Sequence, residues 1–306
     1  MRVFVTGASG FIGSAVVPEL ITAGHSVIGL ARSDASAQKL EAAGAEVVRG
    51  DIDDLDLLKR TAADADGVIH LAFQHDKAFS GRFGEAVEAD RRTIEAFGDA
   101  LAGTNRPFLL ASGVIETPPG GLATERDEPE RSGPVEGAAG RFDNARLAIA
   151  LAERGVRSSV LRLPVVHGEG DVGFLVTLIE IARAKGVSGY IGDGHNRWSS
   201  AHRADVAVLC RLAIEQAPAG SVLHAVDDEG VPARAIAAAI GGRLGLPVVS
   251  IPVEEAPEHF GWLASFFQMD RAASNALTRE LLGWNPKQAK LIEDLEKGHY
   301  YESPAA

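Results

Sequence analysis

Residues 6–13 read TGASGFIG, and the residues on either side of them decide the fold. Before them stands RVFV, a run rich in β-branched and aromatic residues that reads as a strand. After them FIGSAVVPELITAG reads as a helix closed by Gly24. Gly7, Gly10 and Gly13 therefore sit between a strand and a helix, as a dinucleotide-binding turn requires. Gly7 permits the tight turn, Gly10 lets the backbone approach a pyrophosphate, and Gly13 allows close packing of helix on strand. The helix start at Phe11 and Ile12 offers free N–H groups and a partial positive charge to an anion. Ser9 adds a hydroxyl donor.

The alternation begun there continues. HSVIGLAR, AEVVRGD, GVIHLAF, RPFLLASG and VRSSVLRLP read as strands. SAQKLEAAG, LDLLKRTAADA, EADRRTIEAFGDALAG and the stretch from about Arg141 read as helices. Apolar strands alternating with helices imply βαβ units and a parallel sheet, with right-handed crossovers placing helices on both faces. The fold class is α/β: a doubly wound Rossmann-type sheet with a smaller, mainly helical C-terminal substrate domain. Residues 1–166 with about 198–226 are assigned to the dinucleotide-binding domain, and about 167–197 with 227–306 to the substrate domain. A Pro/Gly-rich, charged segment spans 116–140, and PVVSI at 247–251 is a short β element.

The second strand ends GLARSD. A site for NAD places an acidic residue about 20 residues past the glycines, on the ribose 2′-OH. Arg32 and Ser33 occupy that place. An arginine pairs with a 2′-phosphate and stacks on adenine, so the expected cofactor is NADP(H). Asp34 is the counter-signal, as an alternative ribose ligand. Asp51 and Ile52 follow the third strand, where the Asp51 carboxylate can accept the adenine amine. Asp53 and Asp54 read equally well as helix N-caps. Leu71 and Ala72 close the fourth strand along the ribose and nicotinamide path.

Composition sets the outer limits. The 306 residues are 46% hydrophobic and 24% charged, with a net charge of -12. Such a surface argues against nucleic acid and anionic membranes as partners. The one cysteine, Cys210, lies in the apolar run VAVLCRLAI and reads as a core residue rather than a reactive thiol. No apolar run is long enough to span a bilayer, and Met1-Arg2 lead straight into the first strand, so a cytoplasmic protein is expected. The nine histidines show no ligand spacing and no second cysteine exists, so no metal is expected.

Together these residues resemble the short-chain dehydrogenase/reductase family in its extended or atypical branch, that is, the NAD-dependent epimerase/dehydratase type. The resemblance covers most of the chain. It rests on TGASGFIG, GD at 50–51, HLA at 70–72, SG at 112–113, RLPVVHGEG at 162–170 and RADVA at 203–207, in the family's order. It implies a nicotinamide cofactor, a hydride-transfer step and a cleft between two domains. Pro164 and His167 fall in its cofactor-site strand end, where the family often has a tyrosine. Its members are often dimeric through the helices flanking the fifth strand, so a homodimer is among the expected partners. In the family a Ser, a Tyr and a Lys do the chemistry, the last two spaced Y-x-x-x-K on the helix after the fifth strand.

Ser112 matches the serine and is expected to orient a substrate carbonyl. The other two do not match. In GRFDNARLA, at 140–148, Phe142 holds the tyrosine place and Arg146 the lysine place, on one helix face. An alignment shifted by one residue puts Arg141 there instead. None of these is an acid near pH 7. Tyr190, Tyr300 and Tyr301 have no lysine four residues on, so no displaced copy of the motif exists. The remaining candidate donor is His75, after the fourth strand, tuned by Asp76 or Lys77; a loop histidine facing water is the alternative. Tyr190 and His202 lie in segments that the family brings towards the cleft. The aromatic run HFGWLASFFQMD, at 259–270, reads as an apolar pocket wall or as core.

Three functions remain open, two of which do without the missing tyrosine. One is an NADPH-dependent oxidoreductase that reduces a small-molecule ketone or aldehyde, with Ser112 orienting the carbonyl and a proton donor other than tyrosine. Another is a silent NADP(H)-binding sensor that kept the Rossmann site and lost the acid. A sugar-nucleotide epimerase or dehydratase fits the layout but needs the missing tyrosine.

Overall fold

In the computed structural model, residues 1–128 and 138–301 are described. Part of the Pro/Gly-rich segment, residues 129–137, and the end of the substrate domain, 302–306, lie outside the described residues.

Seven strands form one parallel sheet: β1 (Arg2–Thr6), β2 (Ser26–Ala31), β3 (Glu46–Arg49), β4 (Gly67–His70), β5 (Pro107–Gly113), β6 (Arg157–Leu163) and, from further on, Ser221–His224. The order is 3-2-1-4-5-6 with Ser221–His224 outside β6, the Rossmann order with a seventh strand added. The helices between them are α1 (Gly13–Thr22), α2 (Asp34–Ala42), α3 (Leu55–Ala63), α4 (His75–Phe79), α5 (Phe83–Leu101) and α6 (Ala138–Ala150).

The period-2 geometry of a strand explains both layers. Val3 and Val5 of β1, Val27 of β2, Leu109 of β5 and Leu161 of β6 enter one core, against Val16, Val17 and Leu20 of α1 and Leu40 of α2. Phe4, Ile28, Phe108 and Val160, one residue along, enter the opposite core, against Leu58 of α3, Ile94 and Phe97 of α5 and Ala148 of α6. Strands buried on both faces read as continuous apolar runs rather than alternating ones. The Phe97 ring meets Phe4 at 6.0 Å, Phe108 at 5.7 Å and His70 at 5.5 Å.

Beyond β6 the chain forms β7 (Val165–His167), α7 (Phe174–Lys185), β8 (Ser188–Ile191), β9 (Arg197–His202), α8 (Arg203–Gln216), β10 (Ser221–His224), β11 (Asp228–Pro232), α9 (Ala233–Leu244) and β12 (Val248–Ile251). Short helices follow at Ala256–Phe260, Ala264–Phe267, Ala276–Leu282 and Leu291–Leu295. The helix α8 returns to the first layer: Val206, Leu209, Cys210 and Ala213 share the core of α1. β10 had no strand expectation in the sequence. Its four residues, SVLH, include only two apolar ones.

The C-terminal unit is helical with two small sheets, β11-β9-β7 and β12-β8. Its core joins Leu175, Ile179, Trp198, Ile236, Phe260 and Phe267. β7 continues β6 after Pro164, so the strand ends of the main sheet lead into this unit.

Candidate active site and dinucleotide cradle

The three glycines of the first turn do different work. Gly7 has φ +68°, and a Cβ there would lie 2.8 Å from the Ala72 backbone nitrogen. The chain just past β4 thus passes too close for any side chain. At Gly13 a Cβ would lie 2.1 Å from the Gly7 carbonyl oxygen and 2.7 Å from Ala8. At Gly10 the nearest atom is the Gly7 oxygen at 3.2 Å, and the residue is exposed. Two glycines are demanded by packing, whereas Gly10 faces open space in which a phosphate fits. The helix α1 starts after Ile12 with no side-chain cap and no acidic residue in its first turn. The Gly10 carbonyl takes the Ser14 N–H at 2.8 Å, which leaves the N–H groups ahead of it for an anion. Ser9, Phe11 and Ile12 surround it, half-buried. The residues present fit a dinucleotide pyrophosphate.

At the end of β2, Arg32 projects into solvent, with Nε 3.9 Å from Asp51 Oδ2. Ser33 caps α2 by accepting from the Ser36 N–H. Arg49, at the end of β3, donates to the Ser33 carbonyl at 2.6 Å and to Asp34 Oδ1 at 2.6 Å. Asp34 is thus already paired. Asp54 caps α3, while Asp53 accepts from Gln74 at 3.0 Å and Arg92 at 3.1 Å. Ile52 is buried, and its carbonyl accepts from Thr93 Oγ1 at 3.1 Å. Leu71 and Ala72 are half-buried and tied to β1 through the Thr6 carbonyl and hydroxyl.

Ser112 ends β5, 4% exposed, and its hydroxyl has no hydrogen-bond partner among the described residues. An unpaired buried hydroxyl costs stability, so it marks a place where a ligand oxygen fits. Beside it, Arg141 of α6 donates to the carbonyl of Ala111 at 3.1 Å and lies over the Phe73 ring, 4.0 Å from its centroid. Asp90 of α5, almost wholly buried, holds Arg141 at 3.4 Å. Asp90 also accepts from Asn144 at 2.8 Å and faces His70 Nε2 at 3.2 Å. His70 is in turn bonded to Thr6 Oγ1 at 2.6 Å through Nδ1. Burial alone would raise the Asp90 carboxyl; the His70, Arg141 and Asn144 contacts outweigh it and hold the pKa below the usual range. Burial lowers the pKa of Arg141, with Asp90 opposing.

Phe142 packs on Val114, Ile115, Ala123, Val226 and Ala273. Arg146 pairs with Asp143 at 2.7 Å and Glu128 at 3.4 Å. So it is Arg141 of this helix that reaches the Ser112 end of the sheet. His75 opens α4, exposed on one side and packed edge-on against Phe73 at 5.2 Å. Its pKa is lowered, by desolvation first and the Arg141 charge second, with Asp76 opposing.

Pro164 separates β6 from β7. His167 is buried, and its Nδ1 bonds Asp294 Oδ2 at 2.9 Å. The Tyr300 hydroxyl donates to the same carboxylate at 3.2 Å and accepts from the Gly168 N–H at 2.9 Å. His202 stacks edge-on against His167 at 5.5 Å and caps α8. Asp171, in the loop after β7, is pushed up to about 6 by burial. Among the described residues no group of three or more His, Cys, Asp or Glu is arranged to hold a metal ion, and no helix is long and apolar enough to cross a membrane.

The model of the NAD dependent epimerase/dehydratase family matches residues 3–225. The chain belongs to that family. An uncharacterized protein of Schizosaccharomyces pombe is 46% identical over 98% of this chain and 100% of its own length. A ketoreductase of Stigmatella aurantiaca, acting on 4-hydroxy-2-methyl-3-oxo-4-farnesyl-3,4-dihydroquinoline-1-oxide by its name, is 28% identical over 92% of this chain and 87% of its own. The Thermus thermophilus UDP-glucose 4-epimerase, solved with NAD, shares the fold: its TM-score is 0.76 at 22% identity, covering 98% of this chain and 99% of that one. The resemblance read from the motifs to the extended short-chain dehydrogenase/reductase type therefore stands.

Within this family member, the roles of several site residues left no sequence signal. Asp90 and Asn144 lie inside ordinary helical runs, and Arg49 closes a short strand. Arg203, in RADVA, lies 5.3 Å over the Phe11 ring and donates to Ser14 Oγ at 3.4 Å, at the mouth of the glycine turn. All four depend on contacts distant in sequence, which periodicity does not record.

Proposed function

We propose that this protein is an NADPH-dependent reductase of a ketone or aldehyde. The observation that carries the reading is the buried, unpaired hydroxyl of Ser112, with the Arg141 guanidinium bonded to the carbonyl of Ala111, the residue before it. Both are hydrogen-bond donors, and a carbonyl oxygen that gains negative charge is what such a pair stabilises. When bound, the reduced nicotinamide supplies the hydride. Ser112 orients the carbonyl, and Arg141, always charged, takes the polarising role that the family gives to tyrosine and lysine. The proton reaches the oxygen from water through His75, the exposed titratable group of this end. Phe73 keeps Arg141 in place and covers one side.

The preference for the 2′-phosphorylated cofactor is supported by Arg32, Arg49 and the Ser33 hydroxyl at the end of β2, with Asp34 neutralised by Arg49. A carboxylate already paired is a weak ribose ligand, and two guanidinium groups suit a phosphate. Gly7, Gly10 and Gly13 with the start of α1 hold the pyrophosphate.

A second reading, a silent NADP(H) sensor, is favoured by one observation: Phe142 and Arg146 leave α6 without a titrating group at the family's acid position. Binding of NADPH and NADH, followed by NADPH oxidation against aldehydes, ketones and diketones, separates the two. The reductase reading expects turnover that falls about 10²-fold or more in Ser112→Ala. Tight NADPH binding with no turnover on any carbonyl supports the sensor instead.

A further inference from the structure

Two arginines stand side by side where the chain after Ser112 meets the C-terminal unit. The Arg271 N–H donates to the Arg197 carbonyl at 2.7 Å, and Arg271 bridges Trp198. Their side chains differ sharply. Arg197 is satisfied: Nε and Nη2 donate to Asp270 at 3.0 and 2.7 Å, and Nη2 also donates to the Gly121 carbonyl. Arg271 is not. Its Nε is sealed from solvent without a partner, and among the described residues its guanidinium has no hydrogen bond and no carboxylate within 4.0 Å. Burial pulls its pKa down, and the exposed carboxylate of Glu116 opposes this only from beyond ion-pair distance.

Arg271 is half-buried, and a guanidinium N–H sealed from water without an acceptor costs stability. Such groups persist mainly where a ligand completes them. The surroundings describe that ligand. Phe266 lies 5.8 Å from the Arg271 guanidinium. Phe174 meets Phe266 at 5.6 Å and Trp262 at 5.9 Å, and Trp262 is 45% exposed. An apolar wall thus runs from the cation to the surface. In the other direction, Val114 and Ile115 lead from Ser112 to Thr117, whose N–H donates to the Asp270 carbonyl at 3.2 Å, next to Arg271. Five residues of extended chain span at most roughly 18 Å, which bounds the length a substrate needs to bridge Ser112 and Thr117.

We propose that Arg271 anchors a carboxylate on the carbonyl substrate, while Phe174, Trp262 and Phe266 take the substrate's apolar part. The proposal rests on the carbonyl-reductase reading of Ser112. A single free cation among rings suits one carboxylate. A nucleoside diphosphate carries more charge and needs more than one cation, and the neighbouring Arg197 is already neutralised by Asp270.

Two probe sets test this in the protein saturated with NADP(H). The first is a series of straight-chain keto acids, with about 5 to 12 carbons between the keto group and the carboxylate, each against its methyl ester, read as NADPH oxidation. An acid of the series is expected to exceed its ester about tenfold or more in kcat/KM. Arg271→Met is expected to abolish that advantage while changing the ester by about twofold at most, and Arg271→Lys to keep part of it. Esters as good as their acids throughout the series, or an unchanged preference in Arg271→Met, overturn the proposal and leave the reductase reading intact. If no keto compound is reduced, the reductase reading fails for these probes, and the second set still decides the anchor. Phenylacetate and phenylacetamide are titrated by calorimetry. Phenylacetate is expected to bind and to weaken about tenfold in Arg271→Met. Equal binding of acid and amide overturns the anchor. Arg271→Met is expected to melt no lower than wild type, because the unpaired charge is gone; a loss of binding is then not a loss of fold.

Discussion

Asp90 Oδ2 lies 3.4 Å from Arg141 Nη1, with the carboxylate buried between two helices and a histidine. This pair sets the Ser112 end of the sheet, because Arg141 reaches the Ala111 carbonyl from the position Asp90 gives it. Removing one partner of a buried pair leaves a charge without compensation. Asp90→Ala is expected to cost about 3–5 kcal/mol in urea unfolding. A loss below about 1 kcal/mol would show that Arg141 needs no partner.

The glycines of the first turn should separate stability from binding. Gly13→Ala places a methyl 2.1 Å from a carbonyl oxygen, so the helix must move. A loss of about 3 kcal/mol is expected. Gly10→Ala meets only the Gly7 oxygen at 3.2 Å. It should melt near wild type while NADPH affinity falls about tenfold, because the methyl occupies the pyrophosphate's approach. Equal effects on melting would remove the distinction.

Cofactor choice turns on Arg32, Arg49 and Asp34. A charge-assisted hydrogen bond contributes about 1.5–3 kcal/mol, so Arg32→Ala should weaken NADPH about 10- to 100-fold and NADH little. Arg49→Ala does the same and also frees Asp34 from its 2.6 Å partner. The ratio of NADPH to NADH affinity should therefore fall further in Arg49→Ala than loss of one cation explains. Dissociation constants from NADPH and NADH fluorescence measure both; parallel losses for the two cofactors would remove the 2′-phosphate argument.

His75 titrates low because it is desolvated and close to the Arg141 cation. In Arg141→Met the second cause disappears and the first remains. The His75 pKa, followed by NMR of its imidazole, should rise towards the ordinary value without passing it. An unmoved titration would place Arg141 too far away to polarise anything His75 serves.

Asp171 gives a stability signature. Its folded pKa of about 6 stands above the ordinary carboxyl value of 3.8, so the folded state holds the proton more tightly. That contribution is fully present below pH 4 and is lost as pH rises through 6. Asp171→Asn keeps an acceptor for the Gly173 N–H, 2.7 Å away in the native loop, and removes the buried charge. It should stabilise the protein at pH 7.5, by about 1–2 kcal/mol after screening, and by much less at pH 4. Thermal melting at the two pH values checks it; an equal shift at both would assign the effect to packing.

The layered fold was legible because β1 to β6 are short, apolar and evenly punctuated. Val3, Phe4 and Val5 declare a strand buried on both faces, and TGASGFIG specifies the turn and the helix after it. The strand β10 was not legible: His224 and Ser221 dilute a four-residue run held by pairing with β6 and by bonds from His224 to Ser274 and Thr278. The dinucleotide turn is local in sequence and could be read there. The Ser112 end is not local. It joins residues 6, 70, 73, 90, 112 and 141, and the interplay of Asp90 with Arg141 has no spacing to betray it. The family resemblance put Phe142 and Arg146 at its tyrosine and lysine places, with Arg141 as the alternative one residue earlier; packing on Val114 and Ile115 and ion pairs with Asp143 and Glu128 engage the first two, and Arg141 reaches Ala111.

The reductase reading stands on hydride transfer from NADPH to a carbonyl held by Ser112. The sharpest measurement uses NADPH deuterated at the transferring position of the nicotinamide, with a carbonyl panel and mass analysis of the alcohols formed. One deuterium is expected on the carbinol carbon of at least one product, with about 10²-fold slower label transfer in Ser112→Ala. NADPH bound but unconsumed across the panel, or label transfer undiminished in Ser112→Ala, would contradict that reading.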